Sequence, residues 1–379
     1  MKYEVISADC HVDLIWLDPE LFVKNARAEF KDRMPYVTDG PKGPVWVTKA
    51  GAQFGLMNGM GSVGREYVPG QIHRSDRMAS TGLYDDGKRG IRRLTDPDLR
   101  LKDQDRDGVQ AEVLYGILGA AMRINDNEAA GEMLRIYNDW LADFCSRHPE
   151  RYAGLASVPN HDTEAAVGEI ERVARRGHVR GLEIARQHDM KALWDPWWEP
   201  VWAAVAASGL PLHFHTIGGP GRDFSQLTGK VLLAARAASI TSFQMHMADV
   251  LMSVIFAGVL ERHPNMKLVI GEAGTGWIPY ILDRMDAEWE DQFQGLDLKM
   301  KPSRYWYRQC YATYQSDPVG VKLIDELGAD NIMWGSDFPH PDGVWPDSQE
   351  YIRRELGHLP AATRKKIVCD NAAKLYGFV

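Results

Sequence analysis

Five side chains that can bind a metal ion or carry a proton stand at the ends of four short apolar segments of the chain. They are Asp9 and His11, His215, Glu272, and Asp337. Each one alone is more often a turn cap or a satisfied core group, but four such segment ends together make that explanation much weaker. A mixed set of carboxylates and imidazoles suits zinc, iron or manganese. The pattern therefore predicts a metal-dependent enzyme.

The spacing of these residues indicates which side chains can meet. Asp9 and His11 are two positions apart, so on a β-strand both side chains point to the same face. Segment 210–215 carries two histidines, His213 and His215, and a buried imidazole needs a hydrogen-bonding partner. We predict that His215, nearer the end of the segment, is the metal ligand and that His213 is structural.

Short apolar segments alternate along the chain with amphipathic segments of helical period, which is typical of parallel β/α units. The predicted strands are 3–9, 111–116, 153–158, 181–185, 210–215, 267–272, 309–313 and 332–336. The predicted helices include 127–147, 164–175, 197–208 and 249–262. Eight strands favour a closed α/β barrel of the TIM type, (β/α)8, although an open doubly wound sheet has the same local pattern. In a barrel the functional side chains lie at the C-terminal mouth.

The regular alternation is interrupted between Val12 and Gly108. We expect a single barrel domain over residues 1–379, in which 12–108 is inserted after the first strand as a lid or a subunit contact. A loop of this length inside a compact domain is usually functional. Its arginines, Arg65 among them, are candidates to hold a substrate carboxylate. A solvated charged surface is the alternative.

Two further residues follow the predicted site positions closely. Glu272 opens the run Glu-Ala-Gly-Thr-Gly-Trp that ends at Trp277, and glycines let the backbone pass close to a ligand. The Gly-x-Gly within it lacks the full spacing of a dinucleotide-binding fingerprint. We expect Trp277, and His340 behind Asp337, to contact the substrate.

Composition excludes several classes of partner. The 379 residues are 45% hydrophobic and 25% charged, and the net charge of −8 speaks against nucleic acid or a membrane surface. The longest mostly apolar stretch, 250–260, is too short to span a bilayer. The four cysteines form no Cys-x-x-Cys pair, which indicates reduced thiols, and the first residues lack the features of a secretory signal. We expect a cytoplasmic protein.

The order of the motifs resembles that of a known family. The motifs are Asp9-x-His11, Pro211-x-x-x-His215, Gly-Val-Leu-Glu-Arg-His-Pro at 258–264, Gly-Ser-Asp-Phe-Pro-His at 335–340 and Asn-Ala-Ala-Lys-Leu-Tyr at 371–376. Together they resemble the amidohydrolase-related family, often called amidohydrolase 2, which includes aminocarboxymuconate semialdehyde and hydroxybenzoate decarboxylases. The resemblance covers the barrel almost end to end and leaves out the segment inserted after the first strand.

The resemblance implies roles for the site residues. Asp9, His11 and His215 would be metal ligands on the first and fifth strands. The first ligand in these decarboxylases is often Glu or His, so that Asp9 is a mild variation. Asp337, on the eighth strand, would bind the metal and either handle protons or orient a water molecule.

The sixth strand departs from the decarboxylase pattern, because Glu272 stands where those enzymes place a catalytic histidine. An imidazole can act as a general acid, whereas an ordinary glutamate is ionised at neutral pH. Glu272 is therefore better suited to act as a general base in hydrolysis or as an additional metal ligand. In the second case the same set, joined by His246, would hold two iron or manganese ions, as in the few dinuclear iron oxygenases that resemble this family. A non-catalytic subunit that keeps the metal is a third alternative.

The leading prediction is a metal-dependent hydrolase or carboxy-lyase that acts on a small carboxylated molecule, aromatic acids included, through a metal-activated water. Asp337 and Glu272 would divide the proton transfers. The expected cofactor is a divalent metal, zinc in the first place, with iron or manganese, or two ions, as alternatives. Several of the twelve tryptophans fall in 194–198 and indicate aromatic contacts in the core or between subunits. We expect a homo-oligomer, with a hetero-oligomer as the alternative.

Overall fold

The structure, a computed structural model, describes residues 2–121, 123–186, 190–216 and 224–378. Its strands β1 to β11 are Ile6–His11, Tyr36–Gly40, Gly43–Val47, Gln53–Leu56, Ala111–Tyr115, Tyr152–Val158, Val179–Ile184, Leu212–His215, Leu268–Gly271, Cys310–Tyr314 and Ile332–Trp334. Strand β1 pairs with β5, and from β5 to β11 each strand pairs with the next, always in parallel. Strands β2, β3 and β4 form a separate antiparallel sheet.

Helices follow most of the parallel strands. Helices α1 to α18 are Leu21–Asn25, His73–Ala79, Leu83–Lys88, Pro97–Asp107, Leu118–Ala121, Asn127–Ser146, Thr163–Arg176, Glu199–Ser208, Gly229–Ser242, Met247–Phe256, Val259–Arg262, Ile278–Asp291, Pro302–Gln309, Pro318–Lys322, Ile324–Leu327, Ser348–Leu356, Ala361–Lys365 and Asn371–Tyr376. Within the ranges given above, none of these helices is long and apolar enough to cross a membrane.

The parallel sheet closes on itself between β1 and the residues that follow β11. The backbone N–H of His11 donates to the carbonyl of Phe338 at 2.7 Å, and the N–H of Asp337 donates to the carbonyl of Asp9 at 2.8 Å. Cys10 and Phe338 form a parallel bridge. The chain therefore forms a (β/α)8 barrel, as the sequence predicts, and not the open doubly wound sheet.

Two element bounds differ from the predicted ones in ways that affect the site. Strand β1 is Ile6–His11 and not 3–9, so that His11 still belongs to the strand. The prediction of one helix over 249–262 is wrong, because the chain forms α10 and then α11 there. Gly258 separates the two helices with a φ of 69°, a left-handed conformation that a helix cannot continue through.

Residues 12–108 hold the antiparallel sheet and helices α1 to α4. The side chains of Phe22, Trp46 and Phe54 are buried in a second hydrophobic cluster, distinct from the one inside and around the barrel. The guanidinium of Arg77 pairs with Asp347, beyond the last barrel strand. The segment is thus packed on the side of the mouth where β1 and β11 end, and its role as a lid or subunit contact stays a prediction.

Candidate metal centre

Four side chains meet at the C-terminal mouth of the barrel. Asp9 and His11 come from the end of β1, His215 ends β8, and Asp337 lies just beyond β11. The His11 Nε2 atom is 3.3 Å from Oδ1 of Asp9 and 3.1 Å from Oδ1 of Asp337. The His215 Nε2 atom is 3.4 Å from the same oxygen of Asp9. All four side chains are buried.

The atoms that face one another in this cluster have no hydrogen-bond partner within the described part of the chain. They are Oδ1 of Asp9, Nε2 of His11, Nε2 of His215 and both carboxylate oxygens of Asp337. Unpaired polar atoms at this depth are costly unless something else binds them. Their spacing of 3.1 to 3.4 Å is typical of atoms that share one ion at about 2.0–2.2 Å. Asp9, His11 and His215 therefore form a group that fits a divalent cation, and Asp337 adjoins this group at His11.

The remaining polar atoms of two of these side chains, Asp9 and His215, are held by neighbours. The second oxygen of Asp9, Oδ2, accepts hydrogen bonds from the backbone N–H of Glu272 at 2.9 Å and from the hydroxyl of Thr313. The Nδ1 atom of His215 lies 3.0 Å from the carbonyl of Thr216. Such contacts orient a ligand so that its free atom faces the centre.

His213 differs from His215 in having both ring nitrogens engaged. Its Nδ1 lies 2.8 Å from the carbonyl of Leu182, and its Nε2 lies 2.9 Å from the hydroxyl of Tyr376. Burial lowers the pKa of His213 to about 4, so that the ring is neutral. This arrangement agrees with the structural role predicted for it.

Mutual attraction shifts the pKa values of the clustered groups. Burial would raise the pKa of Asp9, but the imidazoles of His215 and His11 hold it well below its ordinary value. Burial and the nearby His340 would lower the pKa of His11, yet the adjacent carboxylates of Asp337 and Asp9 raise it to about 9. The pKa of Asp337 is lowered by His340 and His11 against the effect of burial. A cation that binds Nε2 of His11 has to displace the proton from that atom.

Glu272 lies at the edge of the same cluster. Its Oε2 atom is 3.8 Å from Nε2 of His215, and its Oε1 accepts a hydrogen bond from the Gln315 amide at 3.1 Å. Burial, followed by repulsion from Asp337, raises the pKa of Glu272 well above its usual range. Both Glu272 and Asp337 have left-handed backbones, with φ of 48° and 57°. Such conformations are unfavourable for residues with side chains and are concentrated at functional sites.

His340 adds an imidazole beside the four clustered side chains. Its ring stacks on that of His11 with the centroids 4.0 Å apart. Its Nδ1 lies 3.1 Å from Oδ1 of Asp337, and its Nε2 lies 2.9 Å from Oδ2 of Asp13. Burial opposes charge on His340, but the Asp13 and Asp337 carboxylates raise its pKa well above the usual range. His340 thus links Asp337 to a second buried carboxylate.

The other sequence-predicted site residues lie further out. His246 ends the short 3-10 turn before α10 and belongs to none of the metal-sized clusters formed by the described residues. Trp277 is half-buried, and its indole N–H donates to the carbonyl of Ala273 at 2.7 Å. The side chain of Arg65 is exposed, in a turn whose Gly61 lies against Pro341, the neighbour of His340.

Four residues near the centre escaped the sequence reasoning: Asp13, Arg100, Arg123 and Gln315. Asp13 was detectable, because it continues the alternation of Asp9 and His11 by two more positions. Arg123 is held by three carbonyl oxygens, those of Gly119, Phe54 and Ser62, at 3.0 to 3.1 Å. Among the described residues it makes no ion pair with a carboxylate, and burial lowers its pKa.

A protein-family model described as Amidohydrolase matches residues 8–378, which confirms the resemblance seen in the motifs. The gamma-resorcylate decarboxylase of Rhodococcus jostii (strain RHA1) is 27% identical over 293 residues, which are 71% of this chain and 87% of that protein. The 2-amino-3-carboxymuconate-6-semialdehyde decarboxylase of Dictyostelium discoideum is 23% identical over 286 residues, 74% of this chain and 77% of that protein.

Solved structures share the fold. An amidohydrolase from Mycobacterium avium subsp. paratuberculosis K-10 superimposes with a TM-score of 0.74 at 20% identity and covers 100% of this chain and 98% of that one. A dihydroxybenzoic acid decarboxylase from Polaromonas sp. JS666 was solved with bound manganese and the inhibitor 2-nitroresorcinol. It has a TM-score of 0.62 at 24% identity, and the match covers 79% of this chain and 92% of that one. None of these four proteins is described as an oxygenase.

Proposed function

The chain belongs to the amidohydrolase family, and on that premise we propose that it is a metal-dependent carboxy-lyase that acts on a small hydroxylated aromatic carboxylate. The observation that supports it most directly is the cluster of Asp9, His11, His215 and Asp337, whose unpaired atoms face one another at the barrel mouth. The named decarboxylases to which the chain is similar suggest the reaction. Aromatic acids are the substrate class because gamma-resorcylate and dihydroxybenzoate are acids of this kind.

We assign the divalent metal to Asp9, His11, His215 and Asp337. When bound, it would polarise the substrate and lower the pKa of a coordinated water toward neutrality. Two carboxylates and two imidazoles suit zinc and manganese alike. Because a structural neighbour holds manganese, manganese is to be tested beside zinc.

We assign the proton transfer to Glu272. Decarboxylation of an aromatic acid requires one proton at the ring carbon that carries the carboxylate, after which the carbon–carbon bond breaks and carbon dioxide leaves. The carboxyl of Glu272 lies beside the cluster, and the amide of Gln315 orients it at 3.1 Å. Glu272 regains its proton from solvent after each turnover, and Asp337, 3.1 Å from His340, is the second group that can transfer a proton.

Hydrolysis is the second candidate, and one observation favours it. The side chain at the end of β9 is a carboxyl, and a carboxylate in that position can accept a proton from an attacking water molecule. Glu272→Gln and Glu272→His test the proton transfer at this position. Histidine keeps an acid for decarboxylation, whereas glutamine can neither donate nor accept the proton.

The substrate carboxylate needs a cationic partner near the mouth. Arg65 is the partner predicted from sequence, and Trp277 and His340 are the predicted neighbours. Arg123 is a further candidate, because only carbonyl groups hold its guanidinium among the described residues. Replacing the true anchor by methionine should raise KM at least about 10-fold, since charged hydrogen bonds contribute roughly 1.5–3 kcal/mol. The other arginine then serves as the matched control.

The experiment that tests the function is a carbon dioxide release assay on a panel of hydroxybenzoates, with the protein loaded with manganese or with zinc. We expect release that chelation abolishes and that metal restores. We expect Glu272→Gln to lower kcat at least about 100-fold, and Glu272→His to retain more activity than Glu272→Gln. Hydrolysis of esters, lactones or amides without any carbon dioxide release would instead establish the second candidate and refute the first.

A further inference from the structure

A second set of side chains that can bind a metal ion follows the last barrel strand. This outer group consists of Asp337, His340 and Asp342, whose ligand atoms all lie within 4.8 Å of one another. Asp337 also lies 3.1 Å from His11, so that it adjoins both the outer group and the cluster at the barrel mouth. Asp342 is exposed, and a cation from solvent can therefore reach the outer group directly.

Tight turns bring the three side chains of the outer group together. The N–H of His340 donates to the carbonyl of Asp337 at 2.8 Å, and the N–H of Gly343 donates to the carbonyl of His340 at 3.1 Å. Gly343 packs so tightly that a Cβ on it would lie 2.6 Å from a backbone carbonyl oxygen. The inserted segment holds the same turn from outside, because Arg74 donates to the carbonyl of Asp342. The backbone of the outer group is therefore fixed before any ion binds.

The carboxylate of Asp337 needs more than one partner. The side chain is fully buried, and neither of its oxygens has a hydrogen-bond partner in the part of the chain that the structure describes. An ion in the cluster at the barrel mouth would bind Oδ1, which faces His11, and would leave Oδ2 unpaired. Nδ1 of His340 lies 3.1 Å from Oδ1 without a hydrogen bond between them. Such a separation is typical of two ligands that share an ion at about 2.0–2.2 Å.

The other ring nitrogen of His340 is held as it is in metal-binding histidines. Its Nε2 lies 2.9 Å from Oδ2 of Asp13, which is buried. Histidines that bind a metal usually donate the second ring N–H to a carboxylate or a carbonyl, and this bond fixes the ring with its free nitrogen toward the ion. Asp13 is therefore a positioning residue, which aims Nδ1 of His340 at Asp337 and Asp342.

The balance of charge also favours a second cation. Four carboxylates besides that of Glu272 lie in or beside the two groups, and within the described ranges no lysine or arginine forms an ion pair with any of them; they are Asp9, Asp13, Asp337 and Asp342. One divalent ion neutralises two of these four charges. A proton on His340 offsets one more, whereas a second divalent ion offsets both.

We propose that Asp337, His340 and Asp342 form a second divalent-cation site, in which Asp337 bridges the two ions and Asp13 positions His340. Two carboxylates and one imidazole suit manganese. Only three side chains hold the second ion and one of them is exposed, so that it binds more weakly than the first and keeps open positions for water or for an oxygen of an acidic substrate. With both ions bound, Asp337 serves as the bridge and Glu272 remains as the proton carrier.

The test is a titration of the metal-free protein with manganese(II) chloride, in which electron paramagnetic resonance measures the free ion. We expect two ions per chain, the second weaker, and the spectrum of an exchange-coupled pair once both are bound, because a shared carboxylate connects them. Asp342→Asn should weaken the second ion at least about 10-fold and leave the first unchanged, and Asp13→Asn should weaken the second about 10–100-fold. Asp325→Asn is the matched control, because Asp325 is exposed and belongs to no metal-sized group of the described residues.

The outcomes distinguish this site from the function proposed above. The inference rests on the first ion of that proposal but not on the reaction, because the titration measures binding and not carbon dioxide release. Saturation at one ion per chain would overturn the second site and leave the first intact, whereas no binding at all would overturn both. A second ion that Asp342→Asn leaves unchanged would also overturn the proposal, in favour of the overlapping group of His11, Asp13 and His340.

Discussion

Arg100 connects the inserted segment to the metal centre through a buried guanidinium. It lies on α4, is fully buried, and its Nε donates to Oε2 of Glu112 at 2.7 Å. Its Nη1 donates to the carbonyls of His11 at 3.1 Å and Leu94 at 3.2 Å. The guanidinium also lies over the ring of Phe338, next to Asp337, with the centroid 4.9 Å away. Arg100 therefore holds the backbone of one proposed ligand, His11, and packs beside another, Asp337.

The perturbation is Arg100→Met, which leaves the carboxylate of Glu112 buried without its partner. Removing one member of a buried ion pair costs about 3–5 kcal/mol, and we expect that loss in the free energy of unfolding. The double variant Arg100→Met with Glu112→Leu removes both charges and should recover most of it, because an apolar pair of similar volume is often as stable.

Metal affinity shows whether Arg100 only packs against its neighbours or also positions His11. In both variants the carbonyl of His11 loses its donor, and groups that hold a ligand from behind typically contribute 10–100-fold in metal affinity. We therefore expect the double variant to fold almost as stably as the parent and yet to bind metal about 10-fold or more weakly. A double variant with unchanged metal affinity would show that Arg100 only packs.

The assays are urea unfolding followed by circular dichroism and metal titration against a competing chelator. Arg175→Met is the control, because Arg175 forms an exposed pair with Glu171 on α7, and such pairs contribute little. The reasoning is refuted if Arg100→Met unfolds within about 1 kcal/mol of the parent, or if the double variant is no more stable than the single one.

Two other predictions concern the metal and the pH dependence of stability. His215→Ala should lose most of the bound metal, as measured by mass-spectrometric metal analysis. The control, His358→Ala at an exposed position, should keep its metal. Equal metal content in the two variants would contradict the proposed ligand set. Burial raises the pKa of Asp107 to about 7, against about 3.9 in an unfolded chain. Because the folded state holds this proton more tightly, the free energy of unfolding falls as the pH rises from about 4 through 7. Between pH 5 and 8, the parent should lose roughly 2–3 kcal/mol more of its free energy of unfolding than Asp107→Asn does, as measured by urea unfolding. The control, Asp291→Asn at an exposed position, should lose as much as the parent. Parallel pH profiles for Asp107→Asn and the parent would contradict the prediction.

Local patterns were sufficient for the strands and for most of the proposed ligands. Asp9 and His11 are two positions apart on one strand, so their shared direction follows from the period of a strand. His215 and Asp337 end apolar segments, and the ends of parallel strands collect at one mouth. The choice of His215 over His213 rested on their distances from the end of the segment, and the hydrogen bonds of His213 agree with it.

Long-range contacts decided the rest. Closure of the barrel depends on hydrogen bonds of β1 with Phe338, and a local pattern cannot distinguish it from an open sheet. The pairing of Asp13 with His340 joins residues 327 positions apart. The burial of Arg100 depends on how 12–108 folds onto the barrel, and nothing about an arginine in a polar helix indicates it.

The sequence by itself determined the order of the barrel strands and the residues at their ends, because strand period and hydrophobic alternation are properties of neighbouring positions. Only the tertiary structure decided which of those ends share one cluster and which buried charges support it. These depend on distances between remote segments and on the water that packing excludes, and neither quantity is encoded in any short stretch of chain.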